Sequence, residues 1–201
     1  MRSDKVERNT KETQISVDLL LDGKGVYDID TPIGFFTHMI ESFTKHGLFN
    51  IKMKAVGDLH VDQHHLVEDC GIVLGQAFNN ALGDKRGINR AGYFVYPMDE
   101  SLAVAAVDIV GRPFLQYEAE FKRRFCGELD TDLLEDFFLG FSSSLRATVV
   151  IRMPYGRSDH HKIEAIFKAF AKAMKMACST DPRAMDDIPT TKGVIENDSN
   201  N

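Results

Sequence analysis

The chain has 201 residues, 43% of them hydrophobic and 27% charged, with a formal net charge of −6. That is the composition of an ordinary globular protein, long enough to bury one large core or two small ones. The acidity argues against nucleic acid or an anionic membrane surface as a main partner, and no stretch approaches the roughly 20 apolar residues that cross a bilayer.

In chain order, Ile15, Val17, Leu19 and Leu21 alternate, DGKG turns, and Val26, Tyr27 and Ile29 follow, which reads as a hairpin. Thr31-Pro32 opens a helix to about Gly47. Phe49, Ile51, Met53 and Ala55 make a strand, and Asp62 to Leu82 a helix that Gly83 ends. A second half begins near Tyr93. Leu102 to Asp108 and Leu115 to Phe121 alternate as strands, and Thr131 caps a helix to about Leu145. Val149, Ile151 and Met153 form a strand, and Asp159 to Ala177 the last helix. The predicted fold is α+β: two pseudo-symmetric repeats of antiparallel sheet with helices packed on one face, intimately joined as one domain. The repeats span residues 1–92 and 93–185, and a polar, mobile tail covers 186–201. No glycine-rich phosphate loop is present. Cys70, Cys126 and Cys178 lack metal-type spacing and read as buried thiols in a reducing compartment. The start, MRSDKVERNTKET, lacks the apolar run of a signal peptide, so the expected location is cytoplasmic.

One pattern carries chemistry. His-His-x-x-Glu occurs twice, as His64, His65, Glu68 and as His160, His161, Glu164. Four of the seven histidines lie in these two copies. Imidazole and carboxylate at helical spacing point to bound metal. Residues i and i+4 share a helix face, whereas i and i+1 splay by about 100°. His64 and Glu68 can therefore reach one ion while His65 points elsewhere, and the same holds for His160, Glu164 and His161. Ligands in two directions suit a two-ion cluster, or ions shared between helices or subunits. His38, 26 residues before His64, and Asp136, 24 before His160, are third candidate ligands on the preceding helices. Asp136 reads either as an oxygen ligand or as a helix-start aspartate facing water.

These motifs resemble the imidazoleglycerol-phosphate dehydratase family. The likeness runs from ERNTKET (7–13) through IGFFTHM, HGLFNI, GDLHVDQHHLVEDCGI, ALGDKRGINRAG, PMDESLA, GRPFL and GRSDHHKIEAIFKAFAKA to PTTKG (189–193). It implies a hydro-lyase of histidine biosynthesis with two manganese ions per active site. It also implies a homo-oligomeric shell of 24 subunits, with sites at subunit contacts. The metal ligands it implies are His38, His64, His65, Glu68, Asp136, His160, His161 and Glu164. The implied contacts to the phosphate-ester substrate are Glu12, His38, His46, Arg90, Arg112, Lys168, Thr190, Thr191 and Lys192. The chain departs from the family pattern at Asp136, where a histidine is frequent, at Thr37 and Gln63, which stand for aspartates, and at Val110, which stands for serine.

The implied reaction has a chemical difficulty, because the proton to be lost sits on a carbon bearing only a hydroxyl. Coordination of the substrate's imidazole favours its imidazolate form. Expulsion of the neighbouring hydroxyl then gives a diazafulvene, and the adjacent proton becomes acidic enough to pass to Glu12, Glu164 or a histidine such as His65. The residues alone leave two other readings open, a metal-dependent hydrolase and a non-catalytic metal-binding shell.

Overall fold

The structure, a computed structural model, describes residues 1–195. Its elements are β1 (Ser3–Asn9), β2 (Thr13–Leu20), β3 (Tyr27–Asp30), α1 (Gly34–Gly47), β4 (Asn50–Gly57) and α2 (His64–Leu82). The second repeat follows as β5 (Ala91–Met98), β6 (Ser101–Asp108), β7 (Phe114–Glu118), the small pair β8 (Phe125–Cys126) and β9 (Leu129–Asp130), α3 (Leu133–Leu145), β10 (Thr148–Tyr155) and α4 (Asp159–Cys178).

The duplication is visible in the topology. One sheet has the order β1-β2-β4-β3 and the other β5-β6-β10-β7. In both, three strands run antiparallel and the outermost runs parallel to its neighbour. Two expectations change here. The segments 15–21 and 26–29 do not pair as a hairpin, because β4 lies between β2 and β3. The outer strand joins in parallel because its connection to the neighbouring strand passes through a helix, α1 or α3, the crossover that parallel pairing requires. Sequence reading also missed β1. Its SDKVERN run is largely exposed and buries only Val6, so it carries no apolar alternation. The expected helix start at Pro32 falls two residues later, at Gly34.

Alternation explains which face each sheet turns inward. In β2, Thr13, Ile15, Val17 and Leu19 are buried and the intervening residues are not; β6 repeats this with Ser101, Ala103, Ala105 and Val107. The helices cover those inner faces: α2 packs on β1 and β2, α4 on β5 and β6, α1 on β3, and α3 on β7. Helix then meets helix across the repeats, α2 on α3 and α1 on α4. The centre is a block of phenylalanines. Phe43 contacts Phe49, Phe78, Phe141 and Phe170, and Phe138 contacts Phe137, Phe167 and Phe170, with ring centroids 4.8–6.4 Å apart throughout the cluster. Each buried ring removes apolar surface worth about 1.5–3 kcal/mol.

The α2–α3 contact is the tightest in the molecule's helical layer. A Cβ on Gly71 would lie 2.2 Å from the Phe137 carbonyl oxygen, and one on Gly75 would lie 2.4 Å from that of Phe141. From the other side, a Cβ on Gly140 would lie 2.9 Å from the Glu68 carbonyl oxygen. The obstacles are backbone atoms, which cannot rotate aside. Gly71→Ala should therefore destabilise the protein by about 1–3 kcal/mol despite alanine's better helix propensity of ~1 kcal/mol. Urea unfolding of the metal-free protein measures this. A Gly71→Ala protein as stable as the parent would mean that the helices are not in backbone contact.

Candidate active site

Crossing the helices between repeats decides which ligand candidates meet. His160 Nε2 lies 3.2 Å from Glu164 Oε2, as their i, i+4 spacing dictates. The third member of this cluster is His38 of α1, and donor atoms of all three lie within 4.8 Å of one another. The His38 and His160 rings are 6.4 Å apart, with the Phe35 ring tilted against His160 at 4.9 Å. The third candidate ligand thus comes from the other repeat, where chain order suggests the same one.

The equivalent cluster on α2 is built likewise but closes differently. His64 Nε2 faces Glu68 at 3.6 Å, while its Nδ1 faces Asp136 of α3 at 3.4 Å. Glu68 and Asp136 therefore address opposite nitrogens of one ring. Glu68 is 41% exposed, whereas Glu164 is 12% exposed and held by Lys168 Nζ at 2.6 Å. Burial pushes the Glu164 carboxyl up, but the hydrogen bond and charge of Lys168, with His38 and His160, outweigh it and hold the group below its ordinary value.

His65 and His161 point away from these clusters. His65 Nδ1 lies 3.2 Å from both Asp58 oxygens, and its Nε2 lies 4.0 Å from Glu12. The Asp58 hydrogen bond raises the His65 pKa above the ordinary histidine value, against partial desolvation. His161 Nδ1 lies 2.9 Å from Glu100, with Asp99 at 3.8 Å. The His161 contact, with the Ser158 N–H, pushes the Glu100 carboxyl down to about 2. Glu12 reaches His65 because the β1–β2 turn is pinned. Thr10 Oγ1 accepts from the Glu12 and Thr13 N–H groups, and Thr13 Oγ1 donates to buried Asp69, which also pairs with Arg8 at 2.9 Å.

The remaining candidates form two groups. Lys168 and His46 flank the Tyr96 ring, each 5.7 Å from its centroid, and Lys168 also approaches Met98 Sδ at 3.8 Å. Burial, then Lys168 and Lys172, lowers the His46 pKa below the ordinary histidine value. Arg90, Arg112, Thr190, Thr191 and Lys192 line one cavity of about 520 Å³. Arg90 grips Asp108 with Nε at 2.6 Å and Nη2 at 2.9 Å, and its Nη1 donates to the Pro189 carbonyl at 2.9 Å. That last bond holds the C-terminal segment beside the cavity. Residues 196–201 of the expected tail lie outside the described residues.

Sequence reasoning gave no role to Asp58, Asp99 or Glu100. Asp58 and Glu100 lie inside the quoted runs GDLHVDQHH and PMDESLA, but no shared spacing links them to their histidines, seven residues away in one repeat and 61 in the other. Gln63 and Thr37 stand away from the imidazoles. The Gln63 amide donates to the Glu128 carbonyl at 2.6 Å and accepts from the Asp130 N–H, and Thr37 shares a hydrogen bond with Thr31.

Fold and site together define a duplicated α+β protein in which paired histidine–carboxylate helices each draw a further polar side chain from the opposite repeat. Comparison with known proteins agrees. Residues 31–174 match the family model of imidazoleglycerol-phosphate dehydratase. The chain is 56% identical over 195 residues to imidazoleglycerol-phosphate dehydratase of Koribacter versatilis, covering 97% of this chain and all of that one. Among solved structures it resembles the Staphylococcus aureus enzyme of that name (37% identity, TM-score 0.80, covering 88% of this chain and 98% of that one). It also resembles the Pyrococcus furiosus enzyme (31% identity, TM-score 0.81, covering 94% and 99%). The chain belongs to the imidazoleglycerol-phosphate dehydratase family. Among the described residues no helix is long and apolar enough to cross a membrane, and all three cysteines are free and buried.

The Arg90 clasp makes a prediction. Arg90→Ala should leave the fold intact but release the segment around Pro189. Hydrogen–deuterium exchange of residues 187–192 should quicken by about tenfold, the scale of one lost charge-assisted hydrogen bond of about 1.5 kcal/mol. Unchanged exchange there would show that the segment is held by other contacts.

Proposed function

We propose that this protein dehydrates imidazoleglycerol phosphate to imidazole acetol phosphate and water in histidine biosynthesis. Two manganese ions serve each active site, and the sites form where copies of the chain meet in a homo-oligomeric shell of 24 subunits. The observation that carries this reading is that His65 and His161 turn away from the clusters of their own helices. Each tetrad sends one imidazole into its own cluster and the other away from it, so the ligand set of one chain is divided between several directions.

The donor chemistry fits manganese. Ligands about 2.1 Å from one ion lie roughly 3 to 4.2 Å apart, which matches the His160–Glu164 and His64–Glu68 spacings of 3.2 and 3.6 Å. Mixed imidazole and carboxylate oxygen suit that ion. His38, His160 and Glu164 would hold one ion and His64 and Glu68 the other, with His65 and His161 completing sites on neighbouring copies. Asp136 would support or ligate at the second. When bound, manganese supplies Lewis acidity that favours the imidazolate form of the substrate ring.

The chain's own residues handle the rest. Arg112, Thr190, Thr191 and Lys192 line one cavity and suit a phosphate monoester. Arg90 has three of its five donors committed, so it chiefly anchors the segment that carries Lys192. Two carboxylates compete for the role of base. Glu164 is pinned between Lys168 and His160 and held ionised, which makes it a good ligand and a poor base. Glu12 is 56% exposed at the tip of a rigid turn, 4.0 Å from His65 Nε2. Glu12 therefore takes the proton, and His65 stands beside it.

The direct test is supply of imidazoleglycerol phosphate with manganese and measurement of the ketone product. Activity should vanish on chelation and return with manganese. It should also fall as pH drops through about 6 to 7, because protons compete with metal for the imidazoles. Excess manganese should move this acid limb to lower pH. An acid limb that saturating manganese leaves in place would have another cause, and no ketone under any metal would end the assignment.

Glu12→Gln should lower kcat by about 10²–10⁴-fold, the usual contribution of a positioned base, with bound manganese unchanged. A Glu12→Gln enzyme within a few-fold of the parent would return the role to Glu164 or His65.

A further inference from the structure

Two carboxylates outside the ligand set make matching contacts from different places in the two repeats. Asp58 follows the end of β4 and meets His65 at Nδ1; Glu100 sits in the β5–β6 turn and meets His161 at Nδ1. Both contacts are of hydrogen-bond length, 3.2 and 2.9 Å. Both bind the same ring nitrogen, of the second histidine of each tetrad, in a chain whose repeats otherwise differ in sequence. The carboxylates are themselves fixed. Glu100 accepts the Ser158 N–H at 2.7 Å through its other oxygen, and Ser158 is the residue that caps α4 through His161. Asp58 belongs to a backbone turn, with its N–H on the Glu12 carbonyl at 3.0 Å and its carbonyl accepting from Val61 at 2.8 Å.

A carboxylate can only accept, so the nitrogen facing it must carry the proton. Neutral imidazole has one N–H, and placing it on Nδ1 leaves the Nε2 lone pair free of a hydrogen bond; on His65, Glu12 lies 4.0 Å from it, beyond hydrogen-bond reach. We infer that Asp58 and Glu100 are paired positioning residues that lock His65 and His161 in the Nδ1–H tautomer, so that each presents Nε2 to an ion. The inference rests on the manganese reading given above. A competing reading makes Asp99, Glu100 and His161 a cation site of their own, since their donor atoms lie within 4.8 Å of one another. The commitments of Glu100 oppose it: one oxygen serves Ser158 and the other serves Nδ1, which leaves little for a cation.

The test uses the full chain with histidine labelled in nitrogen-15, stripped of metal at a pH where imidazole is neutral. Solid-state NMR reads the tautomer, electron paramagnetic resonance counts bound manganese, and thermal unfolding of the stripped protein reports stability. In the parent, two of the seven rings should be locked as Nδ1–H by carboxylate. Asp58→Asn and Glu100→Gln should each unlock one ring and weaken manganese binding about 10–100-fold. Asp58→Glu and Glu100→Asp should recover part of the affinity. A purely structural role predicts a lower unfolding midpoint with unchanged tautomers and unchanged affinity, and that result overturns the inference. So does Nε2–H on His65 and His161 in the parent, or a third manganese ion per chain that Glu100→Gln removes. If the parent takes up no manganese at all, the metal reading falls, while the tautomer measurement still decides this one.

Discussion

The backbone contact between α2 and α3 is the constraint on which the rest depends. Gly71, Gly75 and Gly140 remove the side chains that would hold these helices apart. At that separation the start of α3 lies alongside the start of α2, and Asp136 comes to His64. The partner pair, α1 with α4, brings His38 to His160 and Glu164 in the same way. Neither repeat could assemble its cluster alone, because each tetrad helix takes its third polar group from the other half. The phenylalanine block, which joins α1, α3 and α4 through Phe43, Phe141 and Phe170, fixes both crossings at once. Core packing and site geometry are therefore one problem in this fold.

Much of this was legible in the sequence where local geometry decides it. The 100° step between neighbouring helix positions predicted that His64 and His65 would serve different directions, and they do. Period-two alternation placed β2, β4 and β6, since one face of each is buried. What failed was whatever depends on strands or helices meeting across the chain. Residues 15–21 and 26–29 look like a hairpin until β4 enters between them. β1 pairs along its whole length with β2 yet presents mostly charged side chains to solvent, so no apolar period announces it. His38 precedes His64 in the chain but serves His160, because helix pairing follows packing rather than order. Asp58 and Glu100 were hidden for a related reason: their contacts with His65 and His161 are set by proximity in space, and only one of them is near its histidine in sequence.

Charge is organised locally, against the net acidity. Asp108 holds Arg90, Glu164 holds Lys168, and Asp69 holds Arg8 beneath the turn that carries Glu12. Each pair spends a cation to fix a segment, and each segment borders a candidate site. A buried or half-buried cation with a fixed partner keeps its geometry, which matters more for recognising a phosphate ester than the count of positive charges. The Arg90 fork shows the exchange most plainly. Three of its donors are bound within the chain, and in return the Pro189–Lys192 segment is brought to the cavity that Arg112 also lines.

The two halves share a scaffold but not an electrostatic character. On α4, Glu164 is buried, clamped by Lys168, and joined by the imidazole of His38. On α2, the residue four places after Glu68 is Ile72, so no lysine occupies the corresponding place. Glu68 is correspondingly more exposed, and the cross-repeat partner is the carboxylate of Asp136 rather than an imidazole. One cluster therefore pairs two imidazoles with a carboxylate that is ion-paired to lysine, and the other sets one imidazole between two carboxylates. The second has the larger negative charge and fewer nitrogen donors. The first has two imidazoles and a lysine bonded to its carboxylate. A symmetric pair of sites would accept an asymmetric molecule in either of two orientations. Clusters that differ in charge and in donor set break that equivalence, so this duplicated scaffold distinguishes the two ends of whatever bridges it.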